Sequence, residues 1–454
     1  MNVAAVVGGT VLTPEGPRQA DVLIADGKIA AVGDAGPGTG HVVDAAGCQV
    51  LPGGVDPHCH LMPDVRAATV AAALGGTTTA LSFTNPGAGE SDLECLLRCR
   101  ADLAAGGPAI DVGLHAMLYH PGQATAADLA AAGRAGAAAI KVFLAYPELG
   151  IMCSTRRLFE LMSSAAGPGM IVSVHCENGP LIEVLTEEAL SSGRHGARVF
   201  ADTRPPEVEE EAVARVLAIA SLTGAACYLV HLSTAGAVEQ VRLARKRGLA
   251  HVFAEVCLHH LLLDDRGYAG EDAQRYLVAP PLRAPGHLDA LWEAVADGTI
   301  DTVGSDHCQV RSATIPGLSS SGESYTYGLA GIGARLPLLL SAALTRGIPV
   351  SRIMELTSQN PARIFGHFPR KGALAAGSDA DVIIYDPAGE TTFHAGDYDD
   401  GTGDSVYAGL PLLGRIRAVL LRGRLIVSEG QFLAGQQAGR YLPASALELT
   451  TLPR

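Results

Sequence analysis

Residues 49–60 of the chain read QVLPGGVDPHCH, an apolar run that ends in a cluster of polar side chains. Seven more apolar runs of β type follow it, and Ala-rich, amphipathic stretches typical of helices lie between them. This alternation predicts βα units around a parallel sheet, and eight runs are the number that closes a barrel. We therefore predict an α/β fold with a (β/α)8 TIM barrel. The seven further runs are TTTALSF (77–83), AIDVGLHAML (109–118), AAAIKVFLAY (137–146), MIVSVHCE (170–177), CYLVHLS (227–233), HVFAEVCL (251–258) and DTVGSD (301–306).

The two ends of the chain differ from this central region. The first fifty residues read as short strands joined by turns: VAAVVGGTVLT, then DVLIADGKIAAVG with an Asp-Gly hairpin signal, then HVVDAAGCQVLPG. Residues 371–431 repeat this pattern. Because neither end alone has enough strands to bury a face, we predict that both ends pair into one composite β-sandwich. The predicted domains are 1–50 for the first part of the sandwich, 51–370 for the barrel, and 371–454 for the second part of the sandwich with the tail.

The composition excludes several classes of protein. With 454 residues, 48% of them hydrophobic and 18% charged, the chain is neither a small module nor a disordered segment. A net charge of −14 repels phosphate backbones and anionic membranes, so we expect no nucleic-acid and no membrane partner. We expect no membrane span and no secretory signal, because no apolar stretch is long enough and the N-terminus lacks a basic region. Nine cysteines without a CxxC pair indicate a reducing compartment, which predicts a cytoplasmic protein.

Polar residues end five of the eight apolar runs. In a (β/α)8 barrel the active site lies at the C-terminal ends of the strands, so we expect these side chains to converge on one mouth of the barrel. Any one of the histidines is as readily an ordinary hydrogen-bonded or exposed residue, but their shared placement favours a metal site. The candidate ligands are His58, His60, Lys141, His175, His231 and Asp306.

Lys141 is unusual among the four lysines of the chain. Lys28, Lys246 and Lys371 lie in polar, turn-like contexts, whereas Lys141 lies inside AAAIKVFLAY. Burial of an uncompensated ammonium costs several kcal/mol and favours the neutral amine. A lysine that reaches solvent at a strand end is the simpler interpretation. A neutral amine at a metal centre can instead react with carbon dioxide to give a carbamate, and we predict this modification of Lys141.

The number of ligands indicates two metal ions. His58 and His60 point to the same side of an extended strand, so both can bind one cation. Four histidines and one aspartate supply too few anionic ligands for a close metal pair, and a carbamate would add the missing charge. Two ions about 3.5–4 Å apart would generate hydroxide near neutral pH and polarise a carbonyl group. We expect two divalent ions with carbon dioxide as the lysine carbamate, and we favour zinc, although such ligands also accept manganese or cobalt.

A set of motifs distributed over nearly the whole chain resembles the dihydropyrimidinase and hydantoinase branch of the cyclic amidohydrolases. The motifs are specific in combination. They are PGGVDPHCH (52–60), IKVFLAY (140–146), VSVHCENG (172–179), RPPEVEEEAVAR (204–215), YLVHLS (228–233), PPLR (280–283), GSDHC (304–308) and NPARIFGHFPRKGALAAGSDADVIIYD (360–386).

The resemblance implies hydrolysis of a cyclic amide C–N bond, which opens a dihydropyrimidine or hydantoin ring to an N-carbamoyl amino acid. It also implies roles for single residues. Asp306 would transfer a proton from a bridging hydroxide to the leaving ring nitrogen, and Tyr146 would donate a hydrogen bond to the oxyanion. Backbone groups near Ala279, together with Tyr327, would contact the substrate. In the metal centre, His58, His60 and Asp306 would bind the more buried ion, His175 and His231 the other, and Lys141 would bridge them. The family also implies a homotetramer, or a homodimer.

Departures from the family pattern concern the substrate. Hydantoinases tend to carry Asn-Gly-Gly where this chain has Tyr327-Gly328-Leu329, and the segment 61–74 is shorter than the family norm. The preference for a ring substituent is therefore not predicted. Dihydroorotases usually carry an Arg after the His-x-His pair, and Leu61 at this position disfavours an acidic ring substrate.

Other functions stay open as alternatives. Allantoinase shares the metal ligands and is the hardest to separate. A non-catalytic scaffold and a single-metal deaminase are less favoured, because all six ligand positions are present and include Lys141. The remaining histidines near the motifs are interpreted as core or supporting groups rather than ligands. They are His115, His259, His260 and His307.

Overall fold

A computed structural model of the chain describes residues 2–34, 40–85, 87, 89–167, 169–308, 313–315, 325–398, 400–433, 435 and 438–445. The last part of the predicted C-terminal tail, residues 446–454, lies outside these ranges. The chain divides into two compact units. Unit 1 comprises residues 1–82, 100–113 and 331–442, and unit 2 comprises residues 83–99, 114–330 and 443–454.

The strands and helices of the described residues alternate through the middle of the chain. The strands are β1 (Val3–Thr13), β2 (Gly16–Ala25), β3 (Lys28–Gly33), β4 (His41–Asp44), β5 (Gln49–Pro52), β6 (Gly54–His60), β7 (Thr77–Phe83), β8 (Asp111–Met117), β9 (Ala137–Phe143), β10 (Val172–His175), β11 (Cys227–Leu229), β12 (Val252–Cys257), β13 (Thr302–Gly304), β14 (His307–Cys308), β15 (Ala313–Ile315), β16 (Tyr325–Tyr327), β17 (Val382–Thr392), β18 (Pro411–Leu421), β19 (Arg424–Ser428) and β20 (Gln431–Phe432). The α-helices are α1 (Val65–Leu74), α2 (Asp92–Gly106), α3 (Ala126–Arg134), α4 (Thr155–Ala166), α5 (Gly179–Ser191), α6 (Ala197–Asp202), α7 (Pro206–Thr223), α8 (Ala235–Lys246), α9 (Leu258–Leu262), α10 (Pro285–Asp297), α11 (Arg335–Arg346), α12 (Val350–Met354) and α13 (Asn360–Ile364). Among these described elements, no helix is long and apolar enough to cross a membrane.

Both ends of the chain contribute to one nine-stranded sheet in unit 1. Its order is β20-β19-β18-β17-β5-β1-β2-β3, with β4 paired to β1. The junction between the two ends is antiparallel, because Leu51 on β5 lies opposite Ile383 on β17. Val11, Val50 and Val382 are among the residues that form its fully buried core. The predicted association of the two chain ends is confirmed, while the exact domain boundaries stay predictions.

Parallel strands follow the eight predicted apolar runs. In unit 1, β6 pairs with β7. In unit 2, β8 pairs with β9, and the order continues through β10, β11 and β12 to β13. Every residue of β7 and of β12 is buried, which is typical of parallel strands covered on both faces. The first predicted run divides at Gly53: β5 belongs to the sheet of the chain ends, and only β6 is parallel to its successor.

A buried lysine in unit 1 contradicts one expectation from the sequence. Lys371, expected in a turn-like context, is 1% exposed. Its ammonium lies 2.7 Å from carboxylate oxygens of both Asp111 and Asp381, and 3.1 Å from Asp379. The expectation was wrong because these carboxylates neutralise the ammonium and so offset the cost of burying it. Asp111 is distant in sequence, and Asp379 and Asp381 lie beyond the turn.

Removal of this ammonium is expected to destabilise unit 1. In Lys371→Met, three buried carboxylates lose their shared cation, so we expect the free energy of unfolding to fall by about 3–5 kcal/mol. Thermal and urea denaturation measure this loss. Lys28→Met is the matched control, because the exposed Lys28 also pairs with Asp379, at 3.3 Å, and an exposed pair contributes less than about 1 kcal/mol. Equal stability of the two variants would contradict a structural role of the cluster.

Candidate metal centre and active site

In unit 1, the His-x-His pair lies at the C-terminal end of β6. His58 is 1% exposed, and its ring centroid is 5.9 Å from that of His60. The intervening Cys59 lies on the other side of the strand, where its thiol donates to the carbonyl of Leu81. Alternation along the strand therefore places both imidazoles on one side, as the sequence predicts. Asp56, on the same strand, forms a buried ion pair of 3.6 Å with Arg335.

In unit 2, Lys141 is buried in the middle of the parallel sheet. It lies on β9 opposite Ser173 of β10, and it is 2% exposed. Its ammonium nitrogen lies 5.0 Å from the ring centre of Phe83 and 5.2 Å from that of Phe143. Burial lowers the pKa of Lys141 to about 8, although the negative charges of Asp306 and Glu255 oppose this shift. The amine is still mostly protonated near neutral pH, but its neutral form, which reacts as a nucleophile, is far more populated than in an exposed lysine.

His175 and His231 lie together at the ends of neighbouring strands. Nδ1 of His175 is 2.9 Å from Nε2 of His231, and both rings are almost fully buried. Burial lowers the pKa of His175, so the neutral imidazole is favoured. Two neutral ring nitrogens at this distance can share one proton, or both can direct lone pairs at a cation.

Two buried glutamates orient these histidines. Nε2 of His175 is 2.8 Å from a carboxylate oxygen of Glu177, and the backbone amide of His231 donates to Glu255 at 2.9 Å. Tyr228 donates to the second oxygen of Glu255 at 2.7 Å. Neither glutamate was predicted as a site residue, although Glu177 follows His175 by two residues and Glu255 interrupts an apolar run. Carboxylates that hold the far nitrogen of a histidine are typical of metal sites.

Asp306 lies close to two side chains that were not predicted to be metal ligands. One donor atom of each of Asp306, Cys257 and His259 lies within 4.8 Å of the others. Cys257 and His259 are fully buried. A carboxylate, a thiol and an imidazole this close are suitable ligands for a divalent cation. The side chains around Asp306 are therefore compatible with its predicted role as a metal ligand. His259, which was predicted to be a core or supporting residue, lies close enough to Asp306 to share a cation with it.

The backbone is strained at three of the predicted site residues. Tyr146, His231 and Asp306 have φ values of 66°, 41° and 45°. They are three of the six described residues other than glycine with positive φ. Such conformations cost about 1–3 kcal/mol each and concentrate at functional sites.

The two predicted substrate-contacting tyrosines face one another. The rings of Tyr146 and Tyr327 are stacked with 6.1 Å between their centroids, and Tyr146 also lies 4.9 Å from the ring of His175. Burial raises the pKa of Tyr146 well above its usual value, so its phenol remains a proton donor. Tyr327 thus places a large ring beside Tyr146, the predicted oxyanion donor.

The third predicted substrate contact lies in the PPLR region. Ala279 is 7% exposed and precedes Pro280, whose carbonyl accepts a hydrogen bond of 3.0 Å from His260. His260 therefore supports this loop, as expected for a supporting group. The contact between Ala279 and a substrate stays a prediction.

A buried ion pair connects the PPLR and RPPEVEEEAVAR motifs. Arg283 lies 3.3 Å from the carboxylate of Glu209 in the first turn of α7, and it donates to the Ser233 hydroxyl at 2.9 Å. Glu209 accepts from the backbone amide of Ser233 at 2.8 Å. These bonds fix the segment that follows His231. The PPLR and RPPEVEEEAVAR motifs are more than seventy residues apart in sequence, and this ion pair brings them into direct contact.

Comparison with known proteins identifies the family. Residues 49–426 match the amidohydrolase family. The chain belongs to this family. It is 34% identical to a D-hydantoinase of Ralstonia pickettii over 452 residues, which cover 96% of this chain and 98% of the relative. A D-hydantoinase of Streptomyces coelicolor is also 34% identical, with 98% of each chain covered.

Solved structures agree with this assignment. The crystal structure of dihydropyrimidinase from Brevibacillus agri matches with a TM-score of 0.91 at 34% identity, covering 98% of this chain and 99% of that one. An L-hydantoinase (dihydropyrimidinase) from Arthrobacter aurescens matches with a TM-score of 0.87 at 26% identity, covering 97% and 99%. The predicted resemblance and the predicted fold class are confirmed.

A double-mutant cycle measures the coupling between the two motifs. Arg283→Met leaves Glu209 buried without its cation, so we expect a loss of about 3–5 kcal/mol in the free energy of unfolding. Adding Glu209→Gln removes the orphaned charge and should restore part of that loss, with a coupling energy of about 0.5–3 kcal/mol. Denaturant titrations of the four proteins provide these values. Strictly additive effects would show that the ion pair does not connect the motifs energetically.

Proposed function

We propose that this amidohydrolase is a metal-dependent hydrolase of cyclic amides, which opens a hydantoin or dihydropyrimidine ring to an N-carbamoyl amino acid. The observation that carries the proposal is the buried amine of Lys141 in the same unit as the adjoining imidazoles of His175 and His231. The D-hydantoinases and the dihydropyrimidinase that this chain resembles over nearly its full length supply the reaction class.

The donor atoms of unit 2 fit divalent cations. Two imidazole nitrogens lie 2.9 Å apart at His175 and His231, and the carboxylate of Asp306 lies within 4.8 Å of a second imidazole and a thiol. We propose that two divalent ions, preferably zinc, are held by His58, His60, Lys141, His175, His231 and Asp306, with His58 and His60 included on the strength of their motif. When bound, such ions lower the pKa of water and polarise an amide carbonyl.

Conversion of Lys141 to a carbamate would supply the missing anion. The neutral Nζ forms a bond to the carbon of carbon dioxide and releases one proton, and the product carries one negative charge. Burial between Phe83 and Phe143 favours the neutral reactant and excludes water from it. The carbamate oxygens would then serve as ligands where the unmodified lysine offers only one nitrogen.

The remaining side chains would manage protons and orientation. We propose that Tyr146 donates its phenolic proton in a hydrogen bond to the carbonyl oxygen as negative charge develops there. Asp306 would accept a proton from the attacking water and deliver it to the ring nitrogen that leaves. Glu177 and Glu255 would hold His175 and His231 in place throughout, since both carboxylates are already bonded to them.

A panel of ring substrates tests the proposed activity. We expect the purified protein, loaded with zinc, to convert hydantoin and dihydrouracil to N-carbamoyl amino acids, detected by loss of ring-amide absorbance and by mass. Allantoin and dihydroorotate serve as comparisons. Turnover of dihydroorotate alone, or of no ring at all by a fully loaded protein, would contradict the proposal.

Lys141→Ala is expected to abolish nearly all turnover while the fold is kept. Native mass spectrometry under gentle conditions should show an adduct of the mass of carbon dioxide on the parent protein and none on this variant, and its metal content should fall. Lys246→Ala is the matched control, because Lys246 is exposed at the end of α8. Retention of two metal ions and of normal turnover by Lys141→Ala would contradict the assignment of the carbamate.

Glu177→Gln tests the orientation of His175. The amide cannot accept the same hydrogen bond with a full charge, so we expect metal affinity to fall by about 10–100-fold. Competition with a chelating dye measures this affinity directly, independently of turnover. Glu183→Gln, an exposed change on α5, should leave the affinity unchanged. An unaltered affinity in Glu177→Gln would show that His175 needs no carboxylate partner.

We further propose a homotetramer, or a homodimer, as the family resemblance implies, and a location in the cytoplasm. None of the nine cysteines, all of which lie in the described part of the chain, forms a disulfide. Eight of them are buried, which fits a reducing compartment without requiring one. Light scattering after size-exclusion chromatography measures the oligomeric state.

A further inference from the structure

Arg204, in unit 2, carries a buried guanidinium that no carboxylate of the described residues contacts directly. It is 5% exposed, and one of its terminal nitrogens donates to the carbonyl of Phe200 and to the hydroxyl of Thr203, both at 3.3 Å. Its Nε finds no acceptor among the described residues. No ion pair joins it to any carboxylate in the described part of the chain, although burial of an unpaired charge is costly.

The other buried arginines show what is missing. Three arginines are buried among the described residues, namely Arg204, Arg283 and Arg335. Arg283 pairs with Glu209 at 3.3 Å, and Arg335 pairs with Asp56 at 3.6 Å. Only Arg204 lacks such a partner within the ranges that the structure describes. Local capping of α6 explains its two hydrogen bonds, but it does not explain why a full positive charge is buried there.

Arg204 lies at the end of a row of aromatic rings that begins at the predicted oxyanion donor. Its guanidinium lies 4.0 Å from the ring centre of Phe200. Phe200 is 5.6 Å from Tyr327, and Tyr327 is 6.1 Å from Tyr146. Tyr327 is only partly buried, so this row of rings is accessible to solvent at Tyr327. A ring substrate held at Tyr146 could therefore extend a substituent along Tyr327 towards Arg204.

The charge of Arg204 acts on this region. Burial raises the pKa of Tyr146 and of Tyr327, and the positive charge of Arg204 opposes the shift in both. The guanidinium is thus close enough to the substrate-contacting tyrosines for its field to be felt. Its charge also helps to lower the pKa of the buried Glu177, but no carboxylate of the described residues contacts it directly.

We propose that Arg204 is a specificity-determining residue that binds a carboxylate on a short, slim arm of the substrate ring. The inference rests on the proposed cyclic amide hydrolysis and names its preferred substrate class. Guanidinium and carboxylate form paired, charge-assisted hydrogen bonds, which a neutral group cannot match. Because Arg204 is only 5% exposed, we infer that the arm which reaches it is linear rather than bulky. This class differs from dihydroorotate, whose carboxylate is attached directly to the ring.

A matched pair of hydantoins tests the inference. One carries a carboxyethyl arm on its ring carbon, and the other carries the uncharged carbamoylethyl arm of nearly the same shape. We expect the parent enzyme to prefer the acid in kcat/KM, and Arg204→Gln to lower that preference by roughly 10–100-fold. Turnover of unsubstituted hydantoin should change by less than about threefold. Arg204→Lys, which keeps the charge, should retain part of the preference.

Arg198→Gln is the matched control. Arg198 lies on α6 but is exposed and pairs with Asp202 at 2.9 Å, so its loss removes a nearby charge without touching the row of rings. We expect this variant to keep the full preference for the acid. Circular dichroism confirms that each variant is folded before it is compared.

Several outcomes would overturn the inference. Equal turnover of acid and amide by the parent enzyme would contradict it. An equal fall on all three hydantoins in both Arg204 variants would assign Arg204 to the packing of α6 alone. Calorimetric binding of the two substituted hydantoins separates this inference from the proposed reaction: an Arg204-dependent preference for the acid without ring opening would support the binding role and contradict the hydrolysis.

Discussion

The burial of one amine constrains the rest of the site. Lys141 lies on a central strand of unit 2, where its two neighbouring strands and the rings of Phe83 and Phe143 exclude water. An ammonium is unstable in such a place unless an anion compensates it, so the amine tends to lose its proton. That same loss makes Lys141 reactive towards an electrophile. A position that would be a defect in a purely structural barrel is therefore chemically useful, provided that ligands for its product lie nearby.

Buried carboxylates make those ligands rigid. Glu177 holds a ring nitrogen of His175, Glu255 holds the backbone of His231, and Glu209 fixes the segment immediately after it. Each carboxylate is nearly inaccessible to solvent. Such groups are costly to bury, and hydrogen bonds to imidazoles, amides and hydroxyls offset that cost. The geometry of the site thus depends on acidic residues that need not touch a substrate.

The sequence predicts the architecture and the candidate ligands better than it predicts the buried carboxylates that hold those ligands in place. Eight apolar runs ending in polar residues suffice for the parallel strands, because period and burial are local properties. The division of the first run between β5 and β6 could not be foreseen, since both pieces are apolar and only pairing distinguishes them. The supporting role of Glu255 and the burial of Lys371 were not predicted, for a related reason. A charged residue in an apolar context is acceptable only when a distant partner neutralises or binds it, and spacing along the chain does not reveal that partner.

The backbone conformation of three site residues is also unfavourable locally and is stabilised by other parts of the chain. Tyr146, His231 and Asp306 adopt positive φ, which glycine accepts most readily; histidine and aspartate tolerate it better than tyrosine does. Local propensity alone would place glycine or asparagine at these positions. At His231 a buried hydrogen bond from the backbone amide to Glu255 holds the chain in this conformation. The predicted site residues at the strand ends therefore adopt backbone conformations that local propensity disfavours. The stability of the parallel sheet offsets the free energy that these conformations cost.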